Sequence, residues 1–299
     1  MGTRPERSST SKIAKKKDKS MNARPQSEIL SVHLSVRYGE KPPVLRDIEL
    51  EIERGEVLGL VGQSGSGKST LSLAILGLLD GKQGQAEGRI DFEGCNLLSL
   101  RERELRSLRG RKIALVLQSP LSSLNPALKI RTQLNEAWRA HASGSSADCD
   151  RAIRSALESV SLPSTDEFLR KLPSQMSVGQ AQRVLIAMAI MHRPSLLIAD
   201  EATSALDVIT QSEILTLFRQ LNRTTGMAIL YISHDLASVA GICDRIAILH
   251  EGQIVERGTA NQVLTDPQHE YTRRLMAAIP YMPRGTNLTG RAAAVAGTT

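Results

Sequence analysis

Three cysteines in 299 residues (Cys95, Cys149 and Cys243) lie too far apart to form a metal-binding or disulfide pattern. They read as reduced thiols of a cytosolic protein. Long apolar runs are missing too. The longest, Val184 to Met191, spans eight residues, far short of the ~20 needed to cross a bilayer. No apolar segment follows the basic start, so no secretory signal is expected. Internal repeats are absent, and no heptad pattern marks a coiled coil. Net charge is scarce beyond the N-terminus: of the total of +7, residues 1–27 hold eight Lys/Arg (Arg4, Arg7, Lys12, Lys15, Lys16, Lys17, Lys19, Arg24) against Glu6 and Asp18. The rest of the chain is close to neutral, so charge supplies no basic face for nucleic acid. The tail 1–27, rich in Ser, Thr and Lys, is expected to be disordered. Two readings of it stand. One is attraction to an anionic membrane leaflet, at about 1 kcal/mol per basic residue held there. The other is an unselected extension ahead of a translation start at Met21. Residues 286–299 read as a second disordered tail.

What is present is a phosphate-binding loop. Val57-Leu58-Gly59-Leu60-Val61 is an apolar strand running into Gly62-Gln63-Ser64-Gly65-Ser66-Gly67-Lys68-Ser69-Thr70, followed by amphipathic helical spacing at Leu71, Leu73, Ala74, Ile75 and Leu78. Glycines at 62, 65 and 67 let the backbone bend so that its N–H groups converge on phosphate oxygens. The helix N-terminus adds partial positive charge. Lys68 is expected to reach the β- and γ-phosphates, and the Ser69 hydroxyl to join the shell of Mg²⁺. A nucleoside triphosphate with magnesium is the substrate class this predicts.

Ordered structure is expected from about Ile29. Residues 29–37 and 45–52 alternate apolar and polar as half-buried strands do. Strand 57–61 is apolar throughout, as at the centre of a parallel sheet. Arg89 to Phe92 reads as an edge strand followed by a turn at Gly94, and Ile113 to Leu117 as a further buried strand. From about 119 to 190 helical spacing dominates, interrupted by an expected loop at Ala142 to Asp150. Buried strands return at 196–199, 228–232 and 245–249, with a helix over 211–223 between the first two. Strand–helix alternation on both sides of a helical insert predicts an α/β nucleotide-binding core carrying an α-helical subdomain.

The second half of the site lies at strand ends. Leu196-Leu197-Ile198-Ala199 ends in Asp200 and Glu201, where an α/β sheet delivers ligands. Asp200 suits the magnesium shell through water, and Glu201 a general base that orients the attacking water. Ser177-Val178-Gly179-Gln180, a polar turn opening a long apolar helix, is another anion-facing helix N-terminus. Ser204 to Asp207 follows the acids. Ser233-His234-Asp235 closes an apolar strand, and His234 can hold a γ-phosphate or the attacking water.

The order of these pieces resembles the ATP-binding subunit of an ABC transporter over about residues 29–260. Gly62 to Thr70 is similar to the Walker A loop, Gln118 to the Q-loop glutamine, Met176 to Gln180 to the family signature and Leu196 to Glu201 to Walker B. Ser204 to Asp207 is similar to the D-loop and His234 to the switch histidine, while Tyr38 stands where the family stacks an aromatic on adenine. The resemblance implies a P-loop NTPase core (ABC ATPase), class α/β, with an antiparallel β subdomain and the inserted helical subdomain, the whole spanning 28–260. It implies ATP and Mg²⁺ as ligands, Gln118 near the metal, and Ser177, Gly179, Gln180 and Asp207 facing nucleotide bound by a second cassette. It implies a peripheral position on the cytoplasmic face of the inner membrane, two separate permease chains as partners, a solute-binding protein indirectly, and no specific nucleic acid. Gln118 to Pro126 and Asp266 to Leu275, with Ile279-Pro280, resemble the dipeptide, oligopeptide and nickel importer subgroup, whose C-terminal element would occupy 261–285. Three residues depart from the pattern: Val178 for a signature glycine, Ala202 for proline, and Glu270 for proline in the C-terminal element. Without a cysteine after Cys243, no iron–sulfur centre of the kind some subgroup members carry is expected. The reading is an energy-coupling ATPase; the alternative, motivated by Val178, is a nucleotide-gated partner that hydrolyses weakly.

Overall fold

The computed structural model describes residues 27–79 and 84–278. The expected tails, apart from Ser27, and Ile279-Pro280 lie outside them. In chain order the elements are β1 (Glu28–Tyr38), β2 (Leu45–Glu53), β3 (Val57–Val61), α1 (Lys68–Ile75), β4 (Gly84–Phe92), β5 (Cys95–Asn96), α2 (Glu102–Leu108), β6 (Ile113–Val116), α3 (Pro120–Ser123), α4 (Ile130–Arg139), α5 (Ser146–Ser159), α6 (Asp166–Leu169) and α7 (Val178–Ile190). There follow β7 (Leu196–Asp200), α8 (Val208–Thr225), β8 (Ala228–Ser233), α9 (Leu236–Ile242), β9 (Arg245–His250), β10 (Gln253–Thr259), α10 (Ala260–Thr265) and α11 (Glu270–Ala277).

Two sheets result. The six-stranded one runs β10-β9-β3-β8-β7-β6, parallel except for the antiparallel edge β10. β3 lies inside it, with Leu58 opposite both Leu230 and Arg245, and all five of its residues are buried. That burial is why the strand carries no polar residue. β7 up to Ala199 and all of β8 are buried too, and because the three strands run parallel the chain leaves them at one edge, at residues 62, 201 and 234. The four-stranded antiparallel sheet runs β2-β1-β4-β5 and supplies the expected antiparallel layer.

Residues 120–190 fold as α3 to α7. Their shared core includes Leu134, Trp138, Ile153, Leu157, Phe168 and Val184. Arg131 and Arg154 each pair with both Asp150 and Asp166 at 2.7–2.8 Å, fastening α4, α5 and the start of α6. A shared network of this kind holds geometry better than isolated surface pairs do.

Three local expectations are corrected. The stretch 89–92 is not an edge strand but part of β4, bonded to β1 on one side and to the two-residue β5 on the other. The earlier part of β4 is polar and solvated, with Arg37 reaching Gln85 and Glu87, whereas Ile90, Asp91 and Phe92 are buried. Residues 146–150 are not loop. Ser145 caps α5 by accepting from the Asp148 N–H, and the Asp148 carboxylate accepts the Ser145 N–H in return, so the polar run is a helix start. The helix expected over 211–223 begins earlier, at Val208, capped by Asp207.

Candidate functional site

The loop after β3 is shaped by close approaches. A Cβ on Gly62 would stand 2.2 Å from the Leu249 carbonyl oxygen, and one on Gly67 2.5 Å from Leu45 Cδ2. Gly67, with φ +108°, is also the left-handed residue that opens α1. Ser64 and Gly65 are exposed at the loop's mouth, Thr70 is half-buried, and Ser69 faces solvent at the helix start. Ser66 is buried with its hydroxyl unpartnered. Lys68, 4 % exposed, folds back over the loop and donates from Nζ to the Gly62 and Gln63 carbonyls at 2.8 and 2.9 Å.

Facing this cradle is the end of β7. Asp200 Oδ2 accepts the Ser72 hydroxyl at 3.0 Å, whereas its Oδ1 is buried without a donor. Burial pushes the Asp200 carboxyl up, the neighbouring Glu201 adds to that, and the Ser72 and Ser69 hydroxyls and Lys68 pull it down. Glu201 is left-handed at φ +49°, with its N–H donated to the Ile232 carbonyl at 3.0 Å. This strained turn aims the carboxylate back at the loop: Oε1 lies 3.7 Å from Lys68 Nζ and Oε2 3.3 Å from His234 Nδ1. Beneath the pair runs a buried chain of hydroxyls. Thr203 Oγ1 and Tyr231 OH are 2.8 Å apart, Tyr231 OH reaches Ser238 Oγ at 3.4 Å, and Ser238 meets Ser233 at 3.3 Å.

The structure therefore brings together residues 62–70, Asp200, Glu201 and His234. The other expected site residues stand apart. Among the described residues, no hydrogen bond or ion pair joins Tyr38, Gln118, Ser177, Gly179, Gln180 or Asp207 to that cluster. Tyr38 ends β1, half-buried. Gln118 is exposed two residues beyond β6, whose Val116 pairs with Ala199. Ser177 and Gln180 form a reciprocal cap on α7 at 3.1 and 3.2 Å, and a Cβ on Gly179 would sit 2.7 Å from Thr210 Cγ2 on α8. Asp207 accepts the Ile209 and Thr210 N–H groups and the Thr210 hydroxyl, which hold its carboxyl below the ordinary range. Sequence reasoning missed Ser72, Thr203, Tyr231 and Tyr271. Ser72 alone had a usable signal, being one helical turn from Lys68 on the face toward Asp200.

A polyphosphate cradle opposed by a carboxylate and an imidazole, at the C-terminal edge of a parallel sheet with a helical insert, defines a nucleotide-hydrolysing cassette. The chain belongs to the ABC transporter family, whose profile matches residues 45–204. It is 41 % identical over 256 residues to the dipeptide transport ATP-binding protein DppD of Haemophilus influenzae, covering 84 % of this chain and 77 % of that one. It is 40 % identical to the oligopeptide transport ATP-binding protein OppD of Bacillus subtilis, covering 81 % and 68 %. Its fold matches the ATP-binding cassette MJ0796, solved as a dimer in a post-hydrolysis state with ADP and Pi (TM-score 0.67, 26 % identity, 78 % of this chain and 98 % of that chain). It also matches CbiO1 of Clostridium perfringens, part of the transporter complex CbiONQ (TM-score 0.71, 27 % identity, 85 % and 97 %). The chain is an ATP-binding ABC ATPase, and the weakly hydrolysing alternative is not favoured. No helix among the described residues is long and apolar enough to cross a membrane.

Proposed function

We propose that the chain is the ATP-hydrolysing subunit of a peptide importer, powering separate permease chains from the cytoplasmic face of the inner membrane. The observation that carries the catalytic reading is the Glu201 carboxylate, held between Lys68 and His234 at the mouth of the phosphate loop. The peptide assignment rests on the printed roles of the relatives.

In this reading the loop amides from Gly65 to Thr70 grip the β- and γ-phosphates, with Gly62, Gln63 and Ser64 forming the loop's entry. Lys68 leaves the carbonyls of residues 62 and 63 to meet the phosphate charge. Tyr38 stacks on the adenine. The donor-free oxygen of Asp200, beside the hydroxyls of Ser69 and Ser72, is an all-oxygen set that suits Mg²⁺, with Gln118 completing its surroundings. The metal, when bound, neutralises charge that builds on the phosphate oxygens. Glu201 orients water for in-line attack and accepts its proton, while His234 donates a hydrogen bond to the γ-phosphate or the same water. A second cassette closes the site with its own counterparts of Ser177, Gly179, Gln180 and Asp207.

The catalytic unit spans 28–260 with its helical subdomain at 119–190. Leu117 and Leu121, large apolar side chains exposed beside Gln118, suit docking on a permease. The test is reconstitution in liposomes with the second cassette, both permeases and the solute-binding protein. Saturating oligopeptide is expected to raise ATP turnover several-fold and nickel to leave it unchanged. Stimulation by nickel alone would contradict the peptide assignment.

A further inference from the structure

Beyond the catalytic cluster, the phosphate loop has a partner that lies 208 residues further along the chain. The backbone N–H of Gln63 donates to the phenolic oxygen of Tyr271 at 3.1 Å. Tyr271 lies in the first turn of α11 and is 7 % exposed. Its ring stacks on His250 with centroids 3.7 Å apart and planes 16° from parallel. His250 ends β9, the strand whose Leu249 carbonyl already presses on Gly62.

The start of α11 is itself held down. Glu256 on β10 accepts the N–H groups of Gln268 and His269 at 2.8 and 3.0 Å. His269 Nδ1 then accepts the Tyr271 N–H at 3.2 Å, capping the helix. Although burial pushes the Glu256 carboxyl up, the Thr272 hydroxyl and these two N–H groups hold it below its ordinary range. Tyr271 is thus a rigid post, fixed by stacking on one side and by a capped helix on the other.

The peptide it touches is the one Lys68 also touches. In the peptide unit joining Gly62 to Gln63, the carbonyl accepts Lys68 Nζ and the N–H donates to Tyr271. When Lys68 departs for the phosphates, the carbonyl side loses its partner, and only the Tyr271 side still fixes the plane of that peptide. We propose that Tyr271 is a positioning residue for nucleotide binding: the C-terminal segment 266–277 is a strap whose phenol holds the 62–63 peptide in its binding orientation while Lys68 moves. This rests on the reading that the loop binds ATP. The contact acts on affinity rather than on the chemical step, because the Tyr271 phenol meets the Gln63 N–H and makes no hydrogen bond to Glu201 or His234.

Tyr271→Phe keeps the ring, its stacking and its burial, and removes only the acceptor. In the full-length chain paired with its second cassette, the variant is expected to raise KM for ATP about 5-fold, the worth of one hydrogen bond, and to leave kcat within about 2-fold. Hydrogen exchange supplies a second readout. In the nucleotide-free wild type the Gln63 amide is expected to exchange slowly, unlike the exposed Ser64 and Gly65 amides, and Tyr271→Phe is expected to release it. Unchanged KM in a folded Tyr271→Phe overturns the proposal. So does a wild-type Gln63 amide that exchanges as fast as Ser64, whatever the variant does. A wild type that binds no nucleotide would instead overturn the proposed function, and Gln63 protection would still decide the contact.

Discussion

Asp200 is a carboxylate in a setting that disfavours its charge. A carboxyl whose folded pKa is raised contributes stability below its unfolded value and loses it as pH rises through the folded one. Burial raises that of Asp200, so the ionised form is disfavoured in the nucleotide-free fold. Asp200→Asn is therefore expected to raise Tm at about pH 7.5 by roughly 1–3 °C. The gain should shrink as pH falls through the raised pKa and the wild-type carboxyl takes up its proton. The same variant should lose the extra thermal shift that magnesium adds to ATP. Scanning fluorimetry with and without nucleotide and metal checks both, and a Tm that falls at neutral pH would contradict the assigned cost. The donor-free Oδ1 of Asp200 costs the empty fold and is what the proposed metal role would use.

The strand-to-loop turns place these side chains, and their glycines can be tested in pairs. Gly62→Ala drives a methyl toward the Leu249 carbonyl, a backbone atom that cannot swing away. It is expected to cost about 2 kcal/mol or more. Gly241→Ala, inside α9 with open space around it and no positive φ, is expected to be neutral or stabilising by up to about 1 kcal/mol. Urea unfolding of both variants measures the contrast; equal effects would mean the loop is not packed as described. Legibility followed the same physics. β3, β7 and β8 were readable because strands buried on both faces are near-continuous apolar runs. β10 was not, since Gln253–Thr259 is a solvated edge with no apolar pattern. β4 was misread as an edge because its solvent-facing side chains hide its two neighbours, and α5 began inside an apparent loop because capping residues and loop residues are the same Ser and Asp. The left-handed turn at Glu201 leaves no mark in the sequence at all, because strand periodicity stops at Asp200.

Across the fold, the expected site residues fall into two separate groups. The phosphate loop, Asp200, Glu201 and His234 form one cluster. The cap at Ser177 to Gln180 and the Asp207 cap sit together across the α7–α8 contact and reach none of them. This separation is compatible with the proposed pairing of two cassettes, and the cassette MJ0796, which the fold matches, is dimeric. Tertiary partners such as Tyr271 escaped the sequence reading because contacts between segments 208 residues apart carry no local period. The central claim is that ATP gripped by the loop is split by water aligned from Glu201. Single-turnover cleavage of Mg·ATP by the paired cassettes tests it most directly, with wild type and Glu201→Gln compared at equal nucleotide occupancy. A loss of about 100-fold or more in the cleavage rate with nucleotide binding retained is the predicted result, and cleavage at the wild-type rate by Glu201→Gln would contradict it.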